Sequence, residues 1–196
     1  MSFVSREIKP YFEKSLSPLI EFLAHRRVSP NLLTLLGFSL VALGSVLLLY
    51  RADAVALVLL TVGALLDALD GAVARRLGMD SEFGAFLDST IDRFSDALPF
   101  LSIAVVYGAE GEPWGVALSA LALVASFGVS YSRARAESLG VYGIGGLFER
   151  TERWIVLLAG IALGLVPLAL TVISIGGIVT VAQRVYEVRR VLERRL

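Results

Sequence analysis

The sequence predicts an all-α integral membrane protein, in which six transmembrane helices follow an amphipathic surface helix. Three observations favour this fold class. Hydrophobic residues make up 56% of the 196 residues, and the mean hydropathy of +0.75 exceeds what a soluble core of this size needs. Uncharged stretches long enough to cross a bilayer recur along the chain. Charged residues concentrate at the ends of these stretches.

The N-terminal part of the chain is predicted to be a separate juxtamembrane segment, residues 1–28, ahead of a six-helix transmembrane domain, residues 29–196. Apolar residues recur in the first segment at helical spacing, with Lys9, Lys14 and Glu21 between them. This pattern is typical of a helix that lies in the membrane surface. No removable signal peptide is expected, because no short apolar run with a small-residue cleavage site follows the first charges.

Six membrane spans are predicted from the apolar stretches. The first span covers residues 32–50, the second 54–67, the third 81–107 and the fourth 114–135. The last stretch, residues 154–182, is too long for one span, and residues 164–167 divide it into a fifth and a sixth.

The distribution of Lys and Arg predicts the orientation in the membrane. All but Arg51 fall in the termini, the second and fourth loops or the helix ends beside them, whereas the opposite loops carry Asp53, Glu110 and Glu112. By the positive-inside rule, both termini and these even-numbered loops face the cytoplasm. The chain is therefore predicted to be a multi-pass protein of the cell membrane. Its net charge of zero argues against a nucleic-acid partner.

Acidic residues lie at membrane depth in the second and third spans, where carboxylates normally face a bundle interior or a water-filled cavity. Helical spacing gives two sets of residues that each share one face: Asp67, Asp70, Gly71 and Ala74, and Gly84, Asp88 and Asp92. Four carboxylates in one polar cavity on the cytoplasmic side repel one another, so either some are protonated or cations are bound. Two Mg²⁺ or Mn²⁺ ions would neutralise the carboxylates, because these metals prefer oxygen ligands. A zinc site is disfavoured, since the chain has no Cys and one His.

Two other interpretations of these residues remain open. Acid and Arg pairs in membrane helices can be structural, and glycines can serve close helix packing. An ion or proton transporter would also place acids at membrane depth. However, Gly71 and Gly84 would leave space for a phosphate group beside the acids, and Arg75 could pair with a diphosphate. A transporter has no evident need for such a gap.

The pattern Asp67-x2-Asp70-Gly71-x2-Ala74-Arg75-x8-Gly84-x3-Asp88-x3-Asp92 resembles the complete motif of the CDP-alcohol phosphotransferases. This resemblance implies an enzyme that transfers a phosphatidyl-type group from a CDP-lipid to an alcohol and releases CMP. It implies that Asp67, Asp70, Asp88 and Asp92 bind the metals and that Asp92 is also the general base. The residues implied to border the CDP moiety are Gly71, Ala74, Arg75, Gly84, Asn31 and Thr34. Asn31 could instead cap the first membrane helix.

Arginines near the ends of the later spans indicate an anionic acceptor, although the positive-inside bias could also explain each one. They fall in three clusters: Arg133 and Arg135, Arg150 and Arg153, and Arg184. These segments resemble the phosphatidylinositol-phosphate and archaetidylinositol-phosphate synthase branch of the family. That resemblance implies inositol 1-phosphate as acceptor, with its phosphate bound by Arg133, Arg135, Arg153, Arg184 and Ser132. Glycerol 3-phosphate, another phosphorylated polyol, would fit the same argument. The resemblance also implies a homodimer, while diacyl and ether lipids remain open.

Overall fold

The computed structural model describes residue 11, residues 15–79 and residues 81–195, and over these ranges the ordered elements are seven α-helices. The helices are α1 (Ser17–His25), α2 (Pro30–Leu49), α3 (Asp53–Leu77), α4 (Glu82–Ala109), α5 (Pro113–Ser138), α6 (Arg150–Leu163) and α7 (Val166–Glu193). The all-α prediction is confirmed for the described residues.

Local sequence signals account for most helix boundaries. α2 and α5 begin at a proline, whose fixed φ suits the first helical turn and whose missing N–H costs nothing there. α3 and α6 are each followed by a glycine cap residue, Gly78 and Gly164, in the left-handed conformation that glycine adopts without strain (φ +60° and +67°). Ser81 caps α4 by accepting a hydrogen bond from the Gly84 N–H at 3.0 Å.

α2 and α3 approach each other closely enough that their backbones touch. A Cβ added to Gly63 would lie 2.8 Å from the Gly37 carbonyl oxygen, and a Cβ on Gly37 would lie 3.4 Å from the Asp67 backbone N. Such contacts between small residues are typical of membrane helices, where they allow close packing. This crossing brings the start of α2 alongside the acidic end of α3.

An apolar core fills the part of the bundle away from the acidic residues. It combines buried side chains from six helices, among them Val41, Leu60, Phe100, Leu157 and Ile173. α4 packs on α2 and α5, α7 packs on α5 and α6, and α6 also contacts α3. The short α6 thereby reaches the acidic end of α3 across the bundle.

Four of the described helices are long and apolar enough to span a membrane, namely α2, α3, α5 and α7. Two predicted spans fall outside this group. α4 has sufficient length, but charged residues such as Asp88, Asp92, Arg93 and Asp96 lie in its N-terminal and middle parts. α6 has 14 residues and extends about 21 Å, less than the hydrocarbon core of about 30 Å. The chain is thus a multi-helix membrane protein, while the six-span layout stays a prediction.

The described part of the N-terminal segment forms α1, which packs on α3. Ile20 is buried in a second apolar cluster together with Leu33, Leu69, Ala72 and Val73. Part of the predicted amphipathic segment, residues 1–10 and 12–14, lies outside the described residues. Its position at the membrane surface and the division at residue 28 stay predictions.

Candidate active site

Three aspartates converge where α3 and α4 meet. Asp67, Asp70 and Asp88 each offer one carboxylate oxygen, and these three oxygens lie within 4.8 Å of one another. Opposite oxygen ligands of Mg²⁺ would lie about 4.2 Å apart, so small side-chain adjustments would bring all three oxygens onto one ion. The all-oxygen donor set fits a hard divalent cation. The predicted meeting of the two acidic faces is therefore observed for three of the four motif carboxylates.

Asp70 is the most deeply buried of these three carboxylates, and α2 fixes its orientation. The Thr34 hydroxyl donates a hydrogen bond to Asp70 Oδ2 at 2.5 Å. The Pro30 carbonyl oxygen lies 3.2 Å from the same hydroxyl oxygen. Thr34 was predicted to border the CDP moiety. The structure places the Thr34 side chain against Asp70, a predicted metal ligand. This hydrogen bond joins α2 to α3.

Asp92 lies one helical turn beyond Asp88 and is paired with arginines. Arg150 Nη1 is 2.9 Å from Asp92 Oδ1, and Arg93 Nη2 is 3.3 Å from Asp92 Oδ2. The same Arg150 guanidinium contacts Asp67, through Nη1 to Oδ2 at 2.5 Å and Nη2 to Oδ1 at 3.2 Å. The Asp67 and Asp92 side chains are 16% and 13% exposed, and Asp92 Oδ1 is itself buried without a hydrogen-bond partner among the described residues, since its contact with Arg150 is an ion pair.

Behind this cluster is a buried ionic network that the sequence analysis missed. Asp96, 4% exposed, accepts hydrogen bonds from Arg150 Nε at 3.0 Å, Arg153 Nη2 at 2.8 Å and Trp154 Nε1 at 2.9 Å. A signal was present, because Asp96 continues the four-residue spacing of Gly84, Asp88 and Asp92. The position of Arg150 at the start of a predicted helix was a signal as well. A cation in the first turn of a helix is unfavourable with the helix dipole unless acids compensate it.

The predicted CDP-bordering residues lie beside the carboxylates. A Cβ on Gly71 would lie 3.4 Å from Arg75 Nη1, and one on Gly84 would lie 2.9 Å from Ser81 Oγ and 3.6 Å from Asn31 Oδ1. The Ala74 side chain is half-buried on the same helix as Gly71. The alternative that Asn31 caps α2 is wrong, since the N-cap residue is Ser29 and Asn31 lies within the helix.

The predicted acceptor residues of α5 lie near its C-terminal end. Arg133 is exposed and pairs with Glu137 at 3.0 Å, one helical turn away. Arg135 donates to Ser138 Oγ at 3.3 Å, and Ser132 donates to the Val129 carbonyl oxygen at 2.9 Å. All these partners are within α5 itself.

The other two predicted acceptor residues are buried in the protein interior. Arg184, 2% exposed, donates to the carbonyl oxygens of Val129 and Gly145 and to Glu149 Oε1 at 3.3 Å. It thus joins α7 to α5 and to the loop before α6. Arg153 is 3% exposed and pairs with Asp96, but its Nη1 atom is buried without a hydrogen-bond partner among the described residues. Arg93 Nε is likewise buried without a hydrogen-bond partner among the described residues, so each of these two guanidinium groups has a donor left for a bound anion.

The fold and this carboxylate site together define an all-helical, multi-span membrane protein with an oxygen-rich centre suited to divalent cations. The chain belongs to the CDP-alcohol phosphatidyltransferase family, whose model matches residues 27–186. The predicted family is confirmed, and the chain is a transferase of phospholipid biosynthesis. The ion-transporter alternative is thereby set aside. The family depends on divalent metal ions.

Particular relatives define the likeness more closely. The chain is 39% identical over 188 residues to the archaetidylinositol phosphate synthase of Pyrococcus horikoshii, covering 95% of this chain and 97% of the relative. It is 29% identical to the phosphatidylinositol phosphate synthase of Mycobacterium tuberculosis in two crystal structures. The structure with CDP-DAG bound matches with a TM-score of 0.76 over 87% of this chain and 92% of that chain. The structure in complex with manganese and citrate matches with a TM-score of 0.77 over 87% of each chain.

Proposed function

We propose that the protein transfers the phosphatidyl-type group of a CDP-lipid to inositol 1-phosphate, giving a lipid inositol phosphate and CMP. The observation that carries this proposal is the meeting of Asp67, Asp70 and Asp88 within 4.8 Å, with Asp92 one turn away on the same helix as Asp88. The relatives are by name an archaetidylinositol phosphate synthase in P. horikoshii and a phosphatidylinositol phosphate synthase in M. tuberculosis, and these names support this choice of acceptor.

In the proposed reaction, an acceptor hydroxyl oxygen forms a bond to the lipid-bearing phosphorus of the diphosphate. The bond from that phosphorus to the CMP oxygen breaks, and CMP leaves. The proton of the attacking hydroxyl goes to an Asp92 carboxylate oxygen, because a positioned carboxylate can act as general base. Arg150 and Arg93 contact the same carboxylate and hold its orientation toward the cluster.

The four motif aspartates, Asp67, Asp70, Asp88 and Asp92, would hold two Mg²⁺ or Mn²⁺ ions. Bound divalent ions would neutralise the diphosphate and stabilise the attacking and leaving oxygens. Thr34 fixes Asp70 for this role through its 2.5 Å hydrogen bond. The absence of cysteine and the position of the single histidine in α1 agree with an all-oxygen site.

The CDP moiety would bind along Gly71, Ala74, Arg75 and Gly84, with Asn31 and Thr34 on the α2 side. The close approach of Asn31 Oδ1 to Gly84 supports this placement, since it joins the α2 residues to the glycine of α4. A diphosphate could then lie near the Arg75 guanidinium and the carboxylate cluster.

The acceptor phosphate would bind near Arg153, whose buried Nη1 has no hydrogen-bond partner among the described residues. A buried guanidinium N–H without a partner is costly, and an anion would satisfy it. Arg133, Arg135 and Ser132 at the end of α5 would complete the pocket. Arg184 would contribute while it also anchors the loop before α6.

The membrane arrangement we propose has six spans, with both termini and the active-site end of the bundle on the cytoplasmic side. The arginine-rich ends of α5 and α7 support this orientation through the positive-inside rule. A cavity at this side would let the lipid chains of the donor stay in the bilayer while a cytosolic acceptor enters. A homodimer in the membrane completes the proposal.

The test is a CMP-release assay on the detergent-purified protein with a CDP-lipid and Mg²⁺ or Mn²⁺. The acceptor panel contains inositol 1-phosphate, glycerol 3-phosphate, free inositol and serine, and both diacyl and ether donors are supplied. We expect rapid CMP release with inositol 1-phosphate alone. Faster release with glycerol 3-phosphate would overturn the acceptor assignment. No release with any acceptor by folded, metal-binding protein would count against the proposed reaction.

A further inference from the structure

Arg150 contacts three acidic side chains with one guanidinium group. Its Nη1 lies 2.5 Å from Asp67 and 2.9 Å from Asp92, and its Nε lies 3.0 Å from Asp96. The first two acids belong to the family motif and the third does not. Arg150 therefore connects the proposed metal centre with the buried network behind it.

The position of the Arg150 guanidinium is fixed by Asp96 as well as by the two motif acids. Asp96 is held by Arg153 and by the Trp154 indole N–H, and all three residues are buried. Arg150 is the first residue of α6, and the Glu149–Glu152 capping box fixes the start of that helix. The planar guanidinium can thus present a fixed fork of donors, Nη1 and Nη2, to the two oxygens of Asp67, while Nη1 also forms an ion pair with Asp92.

The same contacts bring a positive charge to the oxygens that a metal ion would use. Both Asp67 oxygens accept from Arg150. A carboxylate oxygen has a second lone pair, so it can bind a cation and still accept a hydrogen bond. The guanidinium would nevertheless repel a divalent ion a few ångströms away in a partly buried site.

We propose that Arg150 is a positioning residue of the metal centre, which orients Asp67 through two hydrogen bonds and Asp92 through an ion pair, while its charge weakens divalent-metal binding. This inference rests on the proposed function, because it takes Asp67 as a metal ligand. Arg150 has a role distinct from that of the acceptor arginines, since its partners are the carboxylates of the centre.

The test measures Mn²⁺ binding to the detergent-purified full chain, by the loss of the free-ion electron paramagnetic resonance signal, alongside CMP release. Arg150→Gln should lower the Kd for Mn²⁺ about tenfold, because a repelling charge is removed. It should also lower kcat about 100-fold, because two carboxylates lose their orientation. Arg150→Lys keeps the charge and loses the fork, so its Kd should stay close to the wild-type value while kcat falls.

Two further variants separate this role from damage to the fold. Arg153→Gln is the matched control, since Arg153 is a buried arginine on the same helix that shares Asp96 and has no ion pair with Asp67 or Asp92. Its Kd for Mn²⁺ should change less than twofold. The double variant Arg150→Gln with Asp96→Asn removes both charges together, which avoids leaving Asp96 without Arg150. It should bind Mn²⁺ more tightly than the wild type, because the charge it loses from Arg150 is in contact with the motif carboxylates whereas Asp96 lies behind them, and it should elute as folded protein in size-exclusion chromatography.

The outcomes are distinguishable. Wild-type protein that binds Mn²⁺ and releases CMP, combined with an unchanged or higher Kd in Arg150→Gln and in the double variant, would overturn the inference and leave the proposed function intact. Equal tightening in Arg153→Gln would overturn it too, because the effect would then be a general charge effect. Wild-type protein that binds no Mn²⁺ would overturn both the inference and the proposed metal centre.

Discussion

The donor region, which contains the motif carboxylates, and the acceptor region, which contains the predicted acceptor arginines, differ in how their charged side chains are arranged. In the donor region, Asp67, Asp70 and Asp88 lie within 4.8 Å of one another, so like charges are held together. In the acceptor region, each predicted arginine is paired or hydrogen-bonded to another residue of the protein, as Arg133 is to Glu137 at the surface and Arg184 is to Glu149 in the interior.

The difference shows what each region needs from its ligands. A carboxylate cluster gains most from cations, which remove the mutual repulsion of its members. Arginines that already have partners can bind an anion only through the donors left over. We therefore expect the donor region to be sensitive to single changes of charge on its carboxylates, and the acceptor region to be sensitive to the loss of a donor that has no protein partner.

The largest effect is expected in the donor region, from Asp92→Asn. Asparagine keeps the size of the side chain but cannot accept the hydroxyl proton, so CMP release should fall about 10²- to 10⁴-fold. CDP-lipid binding, measured by equilibrium binding in detergent, should remain. Asp53→Asn, an exposed acid at the other end of α3, is the matched control and should keep wild-type activity. An active Asp92→Asn protein would contradict the role of general base.

In the acceptor region, Arg153→Gln should raise the KM for inositol 1-phosphate about 10- to 100-fold and leave the KM for the CDP-lipid nearly unchanged. The reason is the loss of a charge-assisted contact from a buried guanidinium, worth about 1.5–3 kcal/mol. Steady-state kinetics with each substrate varied in turn provide the measurement. Arg133→Gln should change the acceptor KM less, because its side chain is half exposed. Equal increases in both KM values would exclude a pocket that is specific for the acceptor.

The next largest effect is expected from the loss of the hydrogen bond between Thr34 and Asp70. Thr34→Val keeps the shape and removes the hydroxyl, which should raise the Kd for Mn²⁺ about tenfold, in line with about 1.5–3 kcal/mol for a hydrogen bond to a charged group. Thr34→Ser should restore most of the affinity. If Thr34→Val instead raised only the KM for the CDP-lipid, Thr34 would act on the nucleotide and not on the metal ligand.

The smallest effects are expected from substitutions of the two motif glycines, which should differ in their effect on stability. Gly84→Ala would bring a Cβ within 2.9 Å of Ser81 Oγ and disturb the cap of α4, so it should lower the free energy of unfolding by about 1 kcal/mol. Gly71→Ala meets only Arg75 Nη1 at 3.4 Å and should leave thermal stability in detergent unchanged. Both changes should raise the KM for the CDP-lipid. A normal KM in both variants would mean that the glycines serve packing alone.

Sequence periodicity predicted that the carboxylates of Asp67, Asp70 and Asp88 would come together, because the residues of each set share one face of a helix. Asp67 and Asp70 lie on one face of α3, and Asp88 lies on the facing side of α4 through a short connection. Helical spacing determines such neighbours without any knowledge of the tertiary fold. The same reasoning could have added Asp96, which lies four residues after Asp92.

The sequence by itself determined the helical class, the family and the acids that meet between two consecutive helices. Only the tertiary structure decided the partners that come from distant segments. Thr34 meets Asp70 because Gly37 and Gly63 let α2 and α3 touch. Arg150, 83 residues from Asp67 along the chain, reaches it because α6 packs across α3. Contacts within a helix follow from its fixed geometry, whereas contacts between helices depend on packing that no local pattern specifies.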